Sequence, residues 1–141
     1  MKKLVYFHGL ESKQGGQKVD LLTRHFLSYA PSMNYEDQTI WKRTLKNVEN
    51  IQPSYVIGSS MGGLMAFHSG YQLNCKLLLF NPAFERKDKY IAEEEQNYEG
   101  KLQKAEIEII LGKNDTEVNP ESTIEFLNKT GIKAKVEYLE L

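Results

Sequence analysis
The sequence predicts a single α/β domain, a mostly parallel sheet of about six strands with helices on both faces. Three observations predict it. Short apolar runs alternate with stretches of helical spacing, the pattern of repeated strand–helix units. Several of those runs, Leu4-Val5-Tyr6-Phe7 and Leu77-Leu78-Leu79-Phe80 among them, are continuously apolar, as strands covered on two sides are. Finally, Gly58-Ser59-Ser60-Met61-Gly62-Gly63 stands directly after Tyr55-Val56-Ile57 and matches G-x-S-x-G. In that setting the pattern reads as a nucleophile elbow, where a strand turns sharply into a helix and the glycines let the backbones crowd together.

Residues 4–7 make the first strand, ending at His8-Gly9. A polar, glycine-containing loop follows over 11–17. Val19, Leu22, Phe26 and Tyr29 then recur at helical spacing, and Pro31 marks a stop. Residues 33–35 are read as a short second strand. Asp37 or Thr39 is the candidate cap for a helix carrying Trp41, Leu45 and Val48 on one face and ending before Pro53. The elbow strand covers 55–58, and its helix runs from Met61 to about Tyr71. Residues 76–80 form another buried strand, closed by Asn81-Pro82. The densely charged segment 85–104 carries Tyr90, Ile91, Tyr98 and Leu102. A fifth strand spans 106–111. Asn119-Pro120 is an N-cap with proline at the first helical position, and Gly131 is that helix's C-terminal cap. The last strand covers 135–139. Neither a repeat nor a linker divides the chain.

Composition narrows the function. A net charge of -1 supplies no basic field, so nucleic acid is not an expected partner. No apolar run approaches the roughly 18 to 20 residues that span a bilayer, and the stretch after Met1-Lys2-Lys3 is too short for a signal peptide. The single cysteine, Cys75, rules out a disulfide framework or a cysteine-rich zinc site and reads as a small core residue. A soluble cytoplasmic protein is the simplest expectation. A nucleotide site is disfavoured too: no G-x-G-x-x-G follows the first strand, and no G-x-x-x-x-G-K-[ST] occurs.

Right-handed crossovers put the C-terminal ends of parallel strands on one edge of the sheet. His8-Gly9-Leu10, Ser60 and Asp115 all stand just past predicted strands, so they are expected to gather there. The chain here resembles the α/β-hydrolase superfamily, and within it the small bacterial YqiA-like esterases. The resemblance is carried by Val5-Tyr6-Phe7-His8-Gly9-Leu10, by Gly58-Ser59-Ser60-Met61-Gly62-Gly63, by Asn81-Pro82-Ala83 and by Gly112-Lys113-Asn114-Asp115. Ser12-Lys13-Gln14-Gly15-Gly16-Gln17-Lys18 adds to it. The order is the expected one, over nearly the whole chain.

The resemblance implies Ser60 as nucleophile, activated by an imidazole that takes its proton. It implies the backbone N–H groups of Met61 and Leu10 as the oxyanion hole, and Asp115, in Gly112-x-x-Asp115-x-x-Val118, as the acid that orients the base. The substrate implied is a small-molecule carboxylic ester, or a thioester, with no metal or cofactor. The segment 85–104 corresponds to a lid-like or surface helical segment, in which Tyr90, Ile91 and Tyr98 are candidates to touch substrate. Ser12, Lys13 and Lys18 fit an anion-binding mouth or plain loop solvation equally well.

The departure lies in the base. The superfamily places a histidine after the last strand, yet none follows Asp115 here. His68 stands eight residues from Ser60, about 12 Å along a helix; His25 falls late in the first helical stretch; the motif histidine, His8, is implied to support the oxyanion loop. Two readings stay open. In one, the 1–141 domain lacks its C-terminal end and the histidine lies just beyond Leu141. In the other, the chain is a hydrolase-like scaffold that binds without turnover. Losing the base costs on the order of a millionfold in rate. Neither the particular ester nor the oligomeric state is legible.

Overall fold
Strand β1 (Lys3–Phe7) opens the computed structural model, which describes residues 1–9, 17–96, 98, 103–113, 115 and 117–140. Helix α1 (Gln17–His25), β2 (Leu27–Tyr29), α2 (Ile40–Ile51) and β3 (Tyr55–Ser59) follow. Then come α3 (Met61–Gly70), β4 (Lys76–Phe80) and a 3-10 turn, Phe84–Arg86, that leads into the short helix α4 (Lys87–Tyr90). A second 3-10 turn (Glu93–Gln96), β5 (Glu106–Gly112), α5 (Pro120–Thr130) and β6 (Lys135–Leu139) complete the order. The six strands form one sheet, β2-β1-β3-β4-β5-β6, in which every pair is parallel.

Register decides which residues share a face. Val5 stands beside Val56, Val56 beside Leu77, and Leu77 beside Ile107. This face is buried under α3: a Cβ built on Gly70 would lie 2.6 Å from Leu77 and 3.6 Å from Val56, so the helix sits directly on the strands. The amphipathic α2 packs outside α3 and buries Ile40, Trp41, Thr44 and Val48. On the opposite face, Phe26 at the end of α1 meets the Tyr55 ring at 5.3 Å. Farther along that face, Ile57, Leu78, Phe80 and Ile110 are half-buried, beside a hollow of about 710 Å³ lined by Tyr55, Ile57, Leu78, Glu108, Ala134 and Lys135. The hollow lies toward the strands' starts, away from the edge that carries Ser60.

Local chemistry accounts for the element ends. Thr39 is the N-cap of α2 but its side chain makes no capping bond; instead Asp37 Oδ1 accepts from the Thr39 N–H and hydroxyl. Gln52 ends the helix in the left-handed region at φ 51°, just before Pro53. Asn119 Oδ1 accepts from Glu121 N at 3.0 Å with Pro120 at the first helical position, and Gly131 at φ 72° closes α5.

One strand lies elsewhere than the sequence pattern placed it. The second strand is Leu27–Tyr29, paired Lys3 to Leu27 and Val5 to Tyr29, whereas residues 33–35 are not part of the sheet. Tyr29 therefore belongs to an edge strand and not to the α1 face. Met33 and Tyr35 are apolar and buried for a different reason: they wrap His8. No helix among the described residues is long and apolar enough to cross a membrane.

Candidate active site
The strand-to-helix turn at Ser60 is as tight as its glycines suggest. A Cβ on Gly58 would fall 2.1 Å from Gly62 O, and one on Gly62 would fall 2.0 Å from Phe7 O. Both are backbone atoms that cannot yield, so only glycine fits at either position. Gly63 faces Pro82, whose Cα would lie 3.0 Å from an added Cβ. Ser60 itself is held at φ 55° and ψ -115°, a region a serine occupies only when its surroundings force it. The forcing contacts are backbone bonds: Ser60 N donates to Phe80 O at 2.9 Å, and Ala83 N donates to Ser60 O at 3.0 Å. The first bond within α3 runs from Leu64 N to Ser60 O, so the Met61 N–H at the helix start has no intrahelical partner.

Asp115 lies two strands further along the same edge, past the end of β5. Its Oδ1 accepts from Glu117 N at 2.8 Å and Val118 N at 2.9 Å, an Asx-type turn that fixes the carboxylate. Among the described residues, Oδ2 takes part in neither bond of that turn. Val118 anchors the turn in the core at 3% exposure. Asn81 stands between the two sites, at the end of β4, and donates its N–H to Ile110 O at 2.9 Å while its Oδ1 accepts from Gly112 N at 2.8 Å. The end of β6 is also close, since Lys113 N donates to Leu139 O at 2.9 Å.

Two of the three histidines are taken up by other bonds. His8 is buried, and its Nε2 accepts from Met33 N at 2.9 Å. Its proton is therefore on Nδ1, which donates to Gly9 O at 2.8 Å. Tyr35 caps this arrangement by donating its hydroxyl to His8 O at 2.5 Å, and Tyr90 donates in turn to Tyr35 O at 2.6 Å. Burial pushes the Tyr35 phenol far above its usual range, with Tyr6 and Tyr90 adding to the shift, so it stays a donor. His68 is buried in α3 between Trp41, Phe67 and Tyr98, with Nδ1 on Leu64 O and Nε2 on the Tyr98 hydroxyl. His25 is exposed at the end of α1.

The structure thus brings Ser60, the Met61 N–H and Asp115 to the ends of β3 and β5, flanking Asn81 at the end of β4. Leu10, together with Ser12, Lys13 and Leu102, lies outside the described residues. Tyr90 and Ile91 are buried in the core, and Glu95 is bonded to Trp41 Nε1 while Glu93 and Glu94 face solvent. The bracing parts played by Tyr35, Tyr90 and Asn81 escape the sequence pattern. Asn81-Pro82 directly after a strand was the one available signal. Among the described residues no group of three metal-ligating side chains forms.

The chain belongs to the uncharacterised protein family UPF0227, whose model matches residues 3–130. Among curated proteins nothing matches it. Its fold is that of the α/β hydrolases. A protein assigned to the hydrolases of the alpha/beta superfamily, from Xanthomonas campestris pv. campestris, superposes with a TM-score of 0.69 at 16% identity, covering 99% of this chain and 86% of that one. The ydeN gene product of B. subtilis gives 0.68 at 12% identity, covering 100% and 86%. The thioesterase domain from the curacin biosynthetic pathway gives 0.64 at 13% identity, covering 98% and 83%. Identities this low establish the shared fold and nothing finer.

Proposed function
We propose that this member of UPF0227 is a serine hydrolase that cleaves a small carboxylic ester, or a thioester, through an acyl-enzyme on Ser60. The observation that carries the reading is the backbone of Ser60, held at φ 55° and ψ -115° where β3 turns into α3. Strain of this size persists only where neighbouring structure enforces it, and such positions cluster at reactive sites.

In this reading Ser60 Oγ attacks the acyl carbon as an imidazole takes its proton, and the alcohol or thiol leaves with that proton. Water then attacks the acyl group by the same route and restores Ser60. The Met61 N–H, at the positive end of α3, and the Leu10 N–H bind the oxyanion. Asp115 holds the imidazole through Oδ2, since Oδ1 is occupied by its own turn. The reading needs an imidazole base at the end of β6, beside the Asp115 turn. Supporting this, Leu139 O already bonds Lys113 N, two residues before Asp115, so a residue shortly after Leu139 can reach the carboxylate. The reaction needs neither metal nor cofactor, and a cytoplasmic setting suits a chain whose one cysteine is buried and free.

A second reading, a binding scaffold without turnover, is favoured by one observation: His8 and His68 are buried and bonded and His25 is remote. A fluorophosphonate separates the two. The hydrolase reading expects the full-length protein to be labelled on Ser60 and Ser60→Ala to lose both label and ester turnover. An unlabelled full-length protein supports the scaffold.

A further inference from the structure
Resting on that reading, we infer that Asn81 is a positioning residue that holds Ser60 and Asp115 at their working separation. Asn81 lies in a four-residue stretch bonded to Ser60 on one side and, on the other, to the end of β5 that leads into the Asp115 turn. On one side Phe80 O accepts from Ser60 N at 2.9 Å and Ala83 N donates to Ser60 O at 3.0 Å, while Pro82 abuts Gly63. On the other side Asn81 N donates to Ile110 O at 2.9 Å and its Oδ1 accepts from Gly112 N at 2.8 Å. Gly112 O then accepts from Asp115 N at 3.3 Å, and a Cβ on Gly112 would lie 3.8 Å from the Asp115 Cβ.

Asn81 sits at φ 41°, in the left-handed region. Two demands therefore meet at this residue: a tolerated positive φ and a short side-chain acceptor. Asparagine and aspartate meet both; glycine meets only the first, and alanine neither. The Gly112 N–H falls at the end of β5, where the ladder to β4 stops, and the Asn81 carboxamide extends that ladder by one bond toward the acid turn. The nucleophile elbow and the acid turn are thus tied to the same side chain and its neighbours.

The test compares Asn81→Gly and Asn81→Asp with the parent, in the full-length protein, by the rate of fluorophosphonate labelling at Ser60, the kcat and KM of an ester, and amide exchange. Asn81→Gly relieves the backbone but removes the acceptor. Its labelling rate and kcat are expected to fall by about 10- to 100-fold, the scale of a misplaced catalytic group, with KM little changed. Exchange at Gly112 and Val118 should quicken while Val56 and Leu79 stay protected. Asn81→Asp restores an acceptor and should recover most of the rate. Parental labelling in Asn81→Gly, failure of Asn81→Asp to recover, or lost protection at Val56 and Leu79 overturns the positioning role alone. A parent that never labels removes the hydrolase reading and this role with it.

Discussion
Ser60 illustrates how a single residue can be read from sequence and still carry a cost that only the structure reveals. Its φ of 55° is awkward for any side chain with a Cβ and easy for glycine. Ser60→Gly is therefore expected to be more stable than Ser60→Ala by about 1 kcal/mol, although both lack the hydroxyl. Urea midpoints of the two variants check this; an equal midpoint would mean that the turn is unstrained. Gly62→Ala is the opposite case. With Phe7 O 2.0 Å from the added methyl, the turn must open, and a loss of several kcal/mol, read as a missing cooperative transition, is the expected result. The glycines and the serine were legible because steric exclusion leaves a pattern in residue type. The braces were not. Tyr35 and Tyr90 act through one hydroxyl each on distant backbone carbonyls, and nothing in their spacing announces a partner.

At the level of elements, signals that are local in the chain were read well. The cap and stop of α5 lie within three residues of the ends they control, and Asn119 bonds Glu121 N as an N-cap should. Asn119→Ala should cost about 1 kcal/mol, with no change in the labelling of Ser60; thermal melts measure the first part. The second strand was misread because apolarity reports burial and not what does the burying. Residues 33–35 look like a strand since Met33 and Tyr35 are enclosed, yet their partner is the ring and carbonyl of His8. Leu27–Tyr29, by contrast, is an edge strand whose Leu27 and Tyr29 are 47% and 40% exposed, so it lacks the continuous apolar run that betrays β4.

Across the whole molecule, buried acids with raised pKa values set the alkaline limit of stability. Burial pushes the Cys75 thiol up to about 11 and the Tyr71 phenol up to about 12, and raises Tyr98 as well, with Tyr71 and Asp88 contributing there. In the unfolded chain these groups ionise nearer 9 and 10, so above pH 9 the unfolded state holds fewer protons and gains population. Stability is thus fully present below about pH 9 and declines as pH rises toward 11 and 12. Denaturant midpoints at pH 8 and 10.5 measure the decline, and Cys75→Ala should make it shallower; an unaltered slope would mean the thiol contributes nothing. The global arrangement was legible because parallel sheets demand alternation along the chain, whereas the half-buried face at Ile57, Leu78 and Ile110 was not, since which surface a helix leaves open is a tertiary fact. Strand order carries one more consequence. Synthesis runs from β1 outward, and β3 pairs first with β1, already made, and then with β4. The partners of the Ser60 turn, Phe7, Phe80, Pro82 and Ala83, all lie within the first 83 residues, so every group that holds the turn is synthesised before the stretch bearing Asp115.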